Sequence, residues 1–162
     1  MVFSQAELQE QVLYDQDTGK FWWLKSKLGR KLDSPAGWTR GRDGRRRIRI
    51  FGGIYYTSRL AWFYVHGEWH KYIDHINNDP TDDRISNLRP ATNSQNNANR
   101  AAGSLNSLGI RGIGFDKSRN KFYVFLQKDG KRIQKRFSEL EEALRFAEVT
   151  SNKLHGEFSI YR

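Results

Sequence analysis

The chain has 162 residues, 28 of them Lys or Arg against 18 Asp or Glu, a formal charge of +10, and no cysteine. That length allows one compact domain or two small ones, and the surplus of positive charge calls for a polyanionic partner. The lack of cysteine excludes disulfides, thiolate metal sites and cysteine nucleophiles and fits a reducing, cytoplasmic setting; no apolar run approaches the ~18 residues of a membrane span, and no basic segment leads into an apolar one at the N-terminus.

Ser4 and Glu7 have the spacing of a capping box, which predicts a short helix over residues 5–12. TGKFWWL (18–24) reads as a strand and is followed by a basic loop. RRRIRIF (45–51) and IYYT (54–57) read as two strands joined at Gly52-Gly53, because glycine reaches the positive φ of a tight hairpin freely. Ser58 is placed to cap a helix through RLAWFYVH, with Gly67 as its stop. A short strand ends at Tyr72-Ile73-Asp74-His75, and a return strand starts near Leu88-Arg89. Thr92 and Gln95 form another capping box, so a helix starts near Asn93. AAGSLNSLG (101–109) is small and polar and reads as a linker between a domain over 1–100 and one over 110–162.

Beyond the linker, KFYVFLQ (121–127) sets Phe122, Val124 and Leu126 against Lys121, Tyr123, Phe125 and Gln127, the period of two of a strand with distinct faces. Asp129-Gly130 turns the chain into KRIQKRF (131–137). Ser138 and Glu141 suggest a third capping box, and Leu140, Ala143, Ala147, Thr150 and Leu154 recur at helical spacing up to Gly156, with His155 placed to meet the helix's last carbonyls. The expected fold is α+β, with antiparallel strands ahead of a strand–strand–helix module and a C-terminal three-stranded sheet plus one helix.

Hydrolysis of a phosphodiester needs a group that deprotonates water and a charge that stabilises the departing oxygen. Imidazole, which titrates near neutrality, suits the first task, and a hard divalent cation on oxygen ligands suits the second. Asp74 and His75 offer both at one strand end, with Asp74 to hold metal and His75 to activate water. Asn87, across a polar turn, is placed to accept the imidazole N–H, and Asn96 in the next helix to supply a second oxygen ligand. Asn77, Asn78, Asp79 and Pro80 read as turn formers; Asp82 and Asp83 offer carboxylates, with a turn position the favoured reading. His66 and His70 lie beside aromatics at a helix end.

YIDHINND (72–79), DRISNLR (83–89) and NSQNNANR (93–100), preceded by YDQDTGKFWWL and SRLAWFYVHGEW, resemble the HNH homing endonucleases of the ββα-metal class over roughly residues 12–100. The resemblance implies Asp74 and Asn96 as metal ligands, His75 as general base and Asn87 as its orienting partner. Asn96 stands where many members carry histidine, which favours one Mg²⁺ or Mn²⁺ over Zn²⁺; no organic cofactor is implied.

Basic residues crowd the window 20–50, with aromatics between them. Arg45, Arg46, Arg47 and Arg49 are candidate phosphate contacts, joined by Arg59, Arg84 and Arg100 around the motif. In the C-terminal module Arg111, Lys121, Tyr123, Gln127, Arg132, Gln134 and Arg136 fall on the sheet, while Glu139, Glu141, Glu142 and Glu148 collect on the helix. Residues 109–161, through Gly109-Ile-Arg-Gly-Ile, Asn120-Lys-Phe, Arg136-Phe-Ser and Lys153-Leu-His-Gly, resemble the Apetala-type DNA-binding domain of plant transcription factors, which implies a sheet laid in the major groove of double-stranded DNA. Phe122 replaces that family's usual tryptophan. Together the two resemblances imply a site-specific DNA endonuclease of homing type. With one active site, a monomer nicks one strand, leaving 5′-phosphate and 3′-hydroxyl ends in the host cytoplasm if phage-encoded. A DNA-binding regulator with an inactive nuclease site is the main rival, and an RNA-directed protein a third reading.

Overall fold

In the computed structural model, which describes residues 3–25, 31–32, 34–39, 43–99 and 106–161, Ser4 caps helix α1 (Gln5–Gln11). The Ser4 and Glu7 side chains each receive the other residue's backbone N–H, as the spacing predicts. Strands β1 (Val12–Asp15) and β2 (Lys20–Trp23) pair antiparallel, with Val12 opposite Trp23 and Tyr14 opposite Phe21 on the buried face. β3 (Trp38–Thr39), β4 (Arg46–Ile50) and β5 (Gly53–Tyr56) form a second antiparallel sheet. Along β4, Ile48 and Ile50 enter the core while Arg47 and Arg49 point the other way.

The β4–β5 turn lies one residue earlier than expected, at Phe51-Gly52, with φ of +51° and +77°. A left-handed phenylalanine is disfavoured by its Cβ. Its ring stacks on Phe3 with centroids 4.4 Å apart, and that packing offsets the backbone penalty. Helix α2 (Thr57–His66) follows β5 directly, so Ser58 is inside the helix and does not cap it; Gly67, at φ +70°, stops it as expected. Leu60, Ala61 and Phe63 pack with Leu8, Phe21, Ile48, Ile73 and Leu88 in one core. β6 (Ile73–His75) and β7 (Leu88–Pro90) form a third small antiparallel sheet, preceded by a 3₁₀ turn at Ile85–Asn87.

The chain is α+β and divides into two compact units, Met1–Ala91 and Thr92–Arg162. The division falls ahead of the expected linker, of which residues 101–105 lie outside the described residues. The short helix α3 (Asn93–Ala98), closed by the expected Thr92–Gln95 capping box, therefore belongs to the second unit. That unit's sheet has the order β10–β9–β8, from β8 (Ile113–Asp116), β9 (Lys121–Lys128) and β10 (Lys131–Phe137), all antiparallel. Val124 and Leu126 are buried against Ala143 and Ala147 of α4 (Leu140–His155), as the alternation requires. Asp129 and Gly130 take φ of +48° and +79° in the turn. Glu139, not Ser138, is the N-cap of α4, so Glu141 sits one position too early for a capping box. At the other end the Lys128 ammonium, and not His155, reaches the Leu154 carbonyl. Among the described residues no helix is long and apolar enough to cross a membrane.

Candidate active site

The candidate residues of the first unit converge on the β6–β7 pair. Ile73 and Leu88 anchor it in the core. The ladder runs on through Ile76 N–H to the Asn87 carbonyl at 2.8 Å and Ala91 N–H to the Tyr72 carbonyl at 3.2 Å. Register places Asp74 opposite Arg89 and His75 opposite Leu88. The Arg89 guanidinium donates from Nε to Asp74 Oδ2 at 2.9 Å, and its Nη2 lies 2.8 Å from the same oxygen as an ion pair, with the two side chains 11% and 4% exposed. A buried carboxylate needs such a partner, since desolvation of an uncompensated charge is expensive.

His75 is also buried, and its Nε2 lies 2.9 Å from Asp83 Oδ1. Asp83 was expected to be a turn residue. It is instead buried at 4% exposure and held from three sides. The Thr57 hydroxyl, at the start of α2, meets its Oδ2. The Tyr14 hydroxyl donates to its carbonyl at 2.6 Å. The β1–β2 turn packs on its backbone, where a Cβ at Gly19 would stand 2.6 Å from the Asp83 carbonyl carbon and Gly19 itself has φ +71°. Burial, and then the nearby Asp83 charge, push the Tyr14 phenol far above its ordinary value, so it stays a hydrogen donor.

Asn87 differs from expectation. Its amide does not orient His75. The Oδ1 accepts the Asn77 N–H at 3.0 Å, and Nδ2 donates to Asn77 Oδ1 at 3.0 Å and to the Asp82 carbonyl at 2.8 Å. Asn87 thus braces the 77–82 loop that carries the chain from His75 round to Asp83. Asp82 closes the brace: its carboxylate takes a fork from Arg84 at 2.7 and 2.6 Å, and this bonding holds its pKa down to about 2. Asn96 lies in α3 of the second unit. Among the described residues no group of three or more His, Asp or Glu gathers as a ready metal cage.

The remaining candidates are placed as follows. Arg46 lies on the Ile48 side of β4 and spends its guanidinium on the Ala36 and Gly37 carbonyls at 3.1 and 3.2 Å, which removes it from the outward set. Arg45 and Arg47 sit over the Tyr56 ring, 5.9 and 4.9 Å from its centroid, and Arg47 also pairs with Asp43 at 2.8 Å. Arg49 is exposed beside them. Arg59 stacks on Trp69 and donates to the His70 carbonyl at 3.1 Å. In the second unit Arg111 donates to the Asn97 carbonyl at 2.7 Å, while Lys121, Gln127, Arg132, Gln134 and Arg136 are exposed and Tyr123 is half-buried over Gly114. Arg100 lies outside the described residues.

The sequence reading missed Asp83, Thr57, Tyr14 and Arg89. The available signal was the Asp82-Asp83 doublet, of which one carboxylate turns inward eight positions after His75. Nothing short of the register points to Arg89.

Residues 55–98, which carry Asp74, His75, Asp83, Asn87, Arg89 and Asn96, match the family model described as HNH endonuclease. The chain is also 32% identical over 91 residues to Protein 3.8 of Escherichia phage T7, an alignment covering 56% of this chain and 75% of that protein. No solved structure matches it.

Proposed function

Since this chain belongs to the HNH endonuclease family, we propose that it is a DNA endonuclease that hydrolyses phosphodiesters at the Asp74–His75 strand end. The observation that carries this reading is a buried histidine held on a carboxylate, next to a second buried carboxylate, within the matched segment.

A divalent cation fits the donor chemistry. Asp74 supplies a buried carboxylate. Mg²⁺ or Mn²⁺ commonly takes one or two carboxylates and completes its shell with water and substrate phosphate. When bound, the cation neutralises charge that develops on the departing oxygen. The chain's own residues do the rest. His75 takes a proton from a water whose oxygen attacks phosphorus. The P–O3′ bond breaks, the 3′-oxygen leaves as a hydroxyl after protonation by solvent, and the phosphate stays on the 5′ end. Asn87 keeps the 77–82 loop in shape.

Double-stranded DNA is the proposed substrate. Arg45, Arg47 and Arg49 with Trp38 and Tyr56 make an outward basic and aromatic face on β4, suited to phosphate contact. The exposed face of β9–β10, with Phe125, Gln127, Arg132, Gln134 and Arg136, suits a groove, in keeping with the Apetala-type resemblance. A homing-type enzyme that nicks as a monomer in the host cytoplasm fits one such site per chain and a phage relative.

A second reading is supported by the Arg89–Asp74 pair: a carboxylate already neutralised by a guanidinium is also what a DNA-binding regulator with a silent site would keep. Supercoiled plasmid with Mg²⁺ or Mn²⁺ separates the two. Conversion to nicked circle by the wild type and not by His75→Ala supports the nuclease; DNA binding with no conversion supports the regulator.

A further inference from the structure

The geometry points to Asp83 as the positioning carboxylate of His75, the group that sets which imidazole nitrogen receives the proton from water. The inference rests on the nuclease reading and adds to it a residue with no assigned part.

An ionised carboxylate only accepts hydrogen bonds, so Asp83 Oδ1 at 2.9 Å from Nε2 places the imidazole hydrogen on Nε2 and the basic lone pair on Nδ1. The same carboxylate stabilises the imidazolium formed once Nδ1 has taken a proton, through a charge-assisted bond between two buried side chains. A carboxylate that merely shaped the turn would not need to be built in this way. Asp83 is buried with His75, at 4% exposure each, and its position is fixed by three elements far apart in sequence. Thr57 from α2 holds Oδ2, Tyr14 from β1 holds the backbone carbonyl at 2.6 Å, and the Gly19 turn backs the peptide. Asn87, the side chain first expected in this part, has its amide committed to Asn77 and Asp82. Asp83 touches His75 alone among the candidate reacting groups, so it acts through the imidazole.

The test uses the full chain with ¹⁵N-labelled histidine and a plasmid-nicking assay. Four histidines are present, and His75→Ala assigns the resonance. The wild type is expected to show His75 as the Nε2–H tautomer with an exchange-protected, low-field imino proton. Asp83→Asn keeps the shape of the side chain and removes its charge. It is expected to move that proton to higher field and to lower kcat about 10–100-fold, the usual effect of losing a histidine's supporting partner, with KM unchanged. Thr57→Val, which leaves Asp83 charged but loosens it, is expected to lower kcat less in the same direction, and serves if Asp83→Asn folds poorly. Folded Asp83→Asn or Thr57→Val protein with wild-type kcat, or an unmoved His75 imino proton in Asp83→Asn, overturns the inference. A wild type that binds DNA and nicks nothing overturns the nuclease reading itself, and the assignment of Asp83 falls with it.

Discussion

Replacing Arg89 with methionine tests whether Asp74 depends on its neighbour for charge. Methionine fills most of the same volume and carries no charge, so the change strands a carboxylate whose side chain is 4% exposed. Breaking a buried pair from one side costs about 3–5 kcal/mol, because the remaining ion is left uncompensated. With a urea slope of ~1.5 kcal/mol/M for a unit of this size, the midpoint should fall by roughly 2–3 M. All five tryptophans, Trp22, Trp23, Trp38, Trp62 and Trp69, lie in the first unit, so tryptophan fluorescence follows the unfolding of that unit alone. The double variant Asp74→Leu with Arg89→Met should recover most of the loss, since neither charge then remains in the core. Millimolar Mn²⁺ should raise the midpoint of Arg89→Met more than that of the wild type, because a carboxylate freed of its guanidinium is the better cation ligand. An Arg89→Met midpoint within ~0.5 M of the wild type would refute the assigned burial energetics. Equal Mn²⁺ shifts in the two proteins would refute Asp74 as a ligand.

Tyr14→Phe removes the hydroxyl that serves the buried Asp83 carbonyl and should destabilise the first unit by about 1–3 kcal/mol in the same fluorescence melt; a change near zero would mean that the carbonyl finds another donor. Gly19→Ala should also weaken that unit, because the residue has φ +71° and the added Cβ meets the Asp83 and Arg84 backbone at 2.6 Å; an unchanged midpoint would show that the turn can move away. In the second unit, bonding from Ser118 and then Arg119 lowers the Asp116 carboxyl from 3.8 to about 2. The folded value being the lower, the turn's contribution is whole above 3.8 and fades as pH falls toward 2, and an NMR titration of Asp116 should show its midpoint rising in Ser118→Ala. Arg132→Gln and Arg136→Gln should each reduce the slope of log K against log salt for duplex binding by ~0.9, read by fluorescence anisotropy; an unchanged slope would remove the β9–β10 face from the DNA interface.

Local chemistry was legible wherever neighbours in sequence are neighbours in space. The Ser4–Glu7 and Thr92–Gln95 boxes, the Gly67 stop, the Asp129-Gly130 turn and the two faces of β9 depend on separations of a few residues, and the linear pattern is enough to state them. It erred by two positions at Ser58, where Tyr56 is the N-cap, and by one at Ser138, where Glu139 is.

The site divides along the same line. The sequence alone determined that Asp74 and His75 sit together at a strand end, because they are adjacent in a short apolar-flanked run. It could not say what they touch. Antiparallel register, set by Ile73 and Leu88 entering the core, put Arg89 opposite Asp74. The closure of a polar loop braced by Asn87, against a tyrosine from β1 and a threonine from α2, turned Asp83 inward onto His75. The Asp83–His75 and Tyr14–Asp83 contacts join residues 8 and 69 positions apart. No periodicity spans such separations; only burial of the surrounding apolar residues brings the partners together.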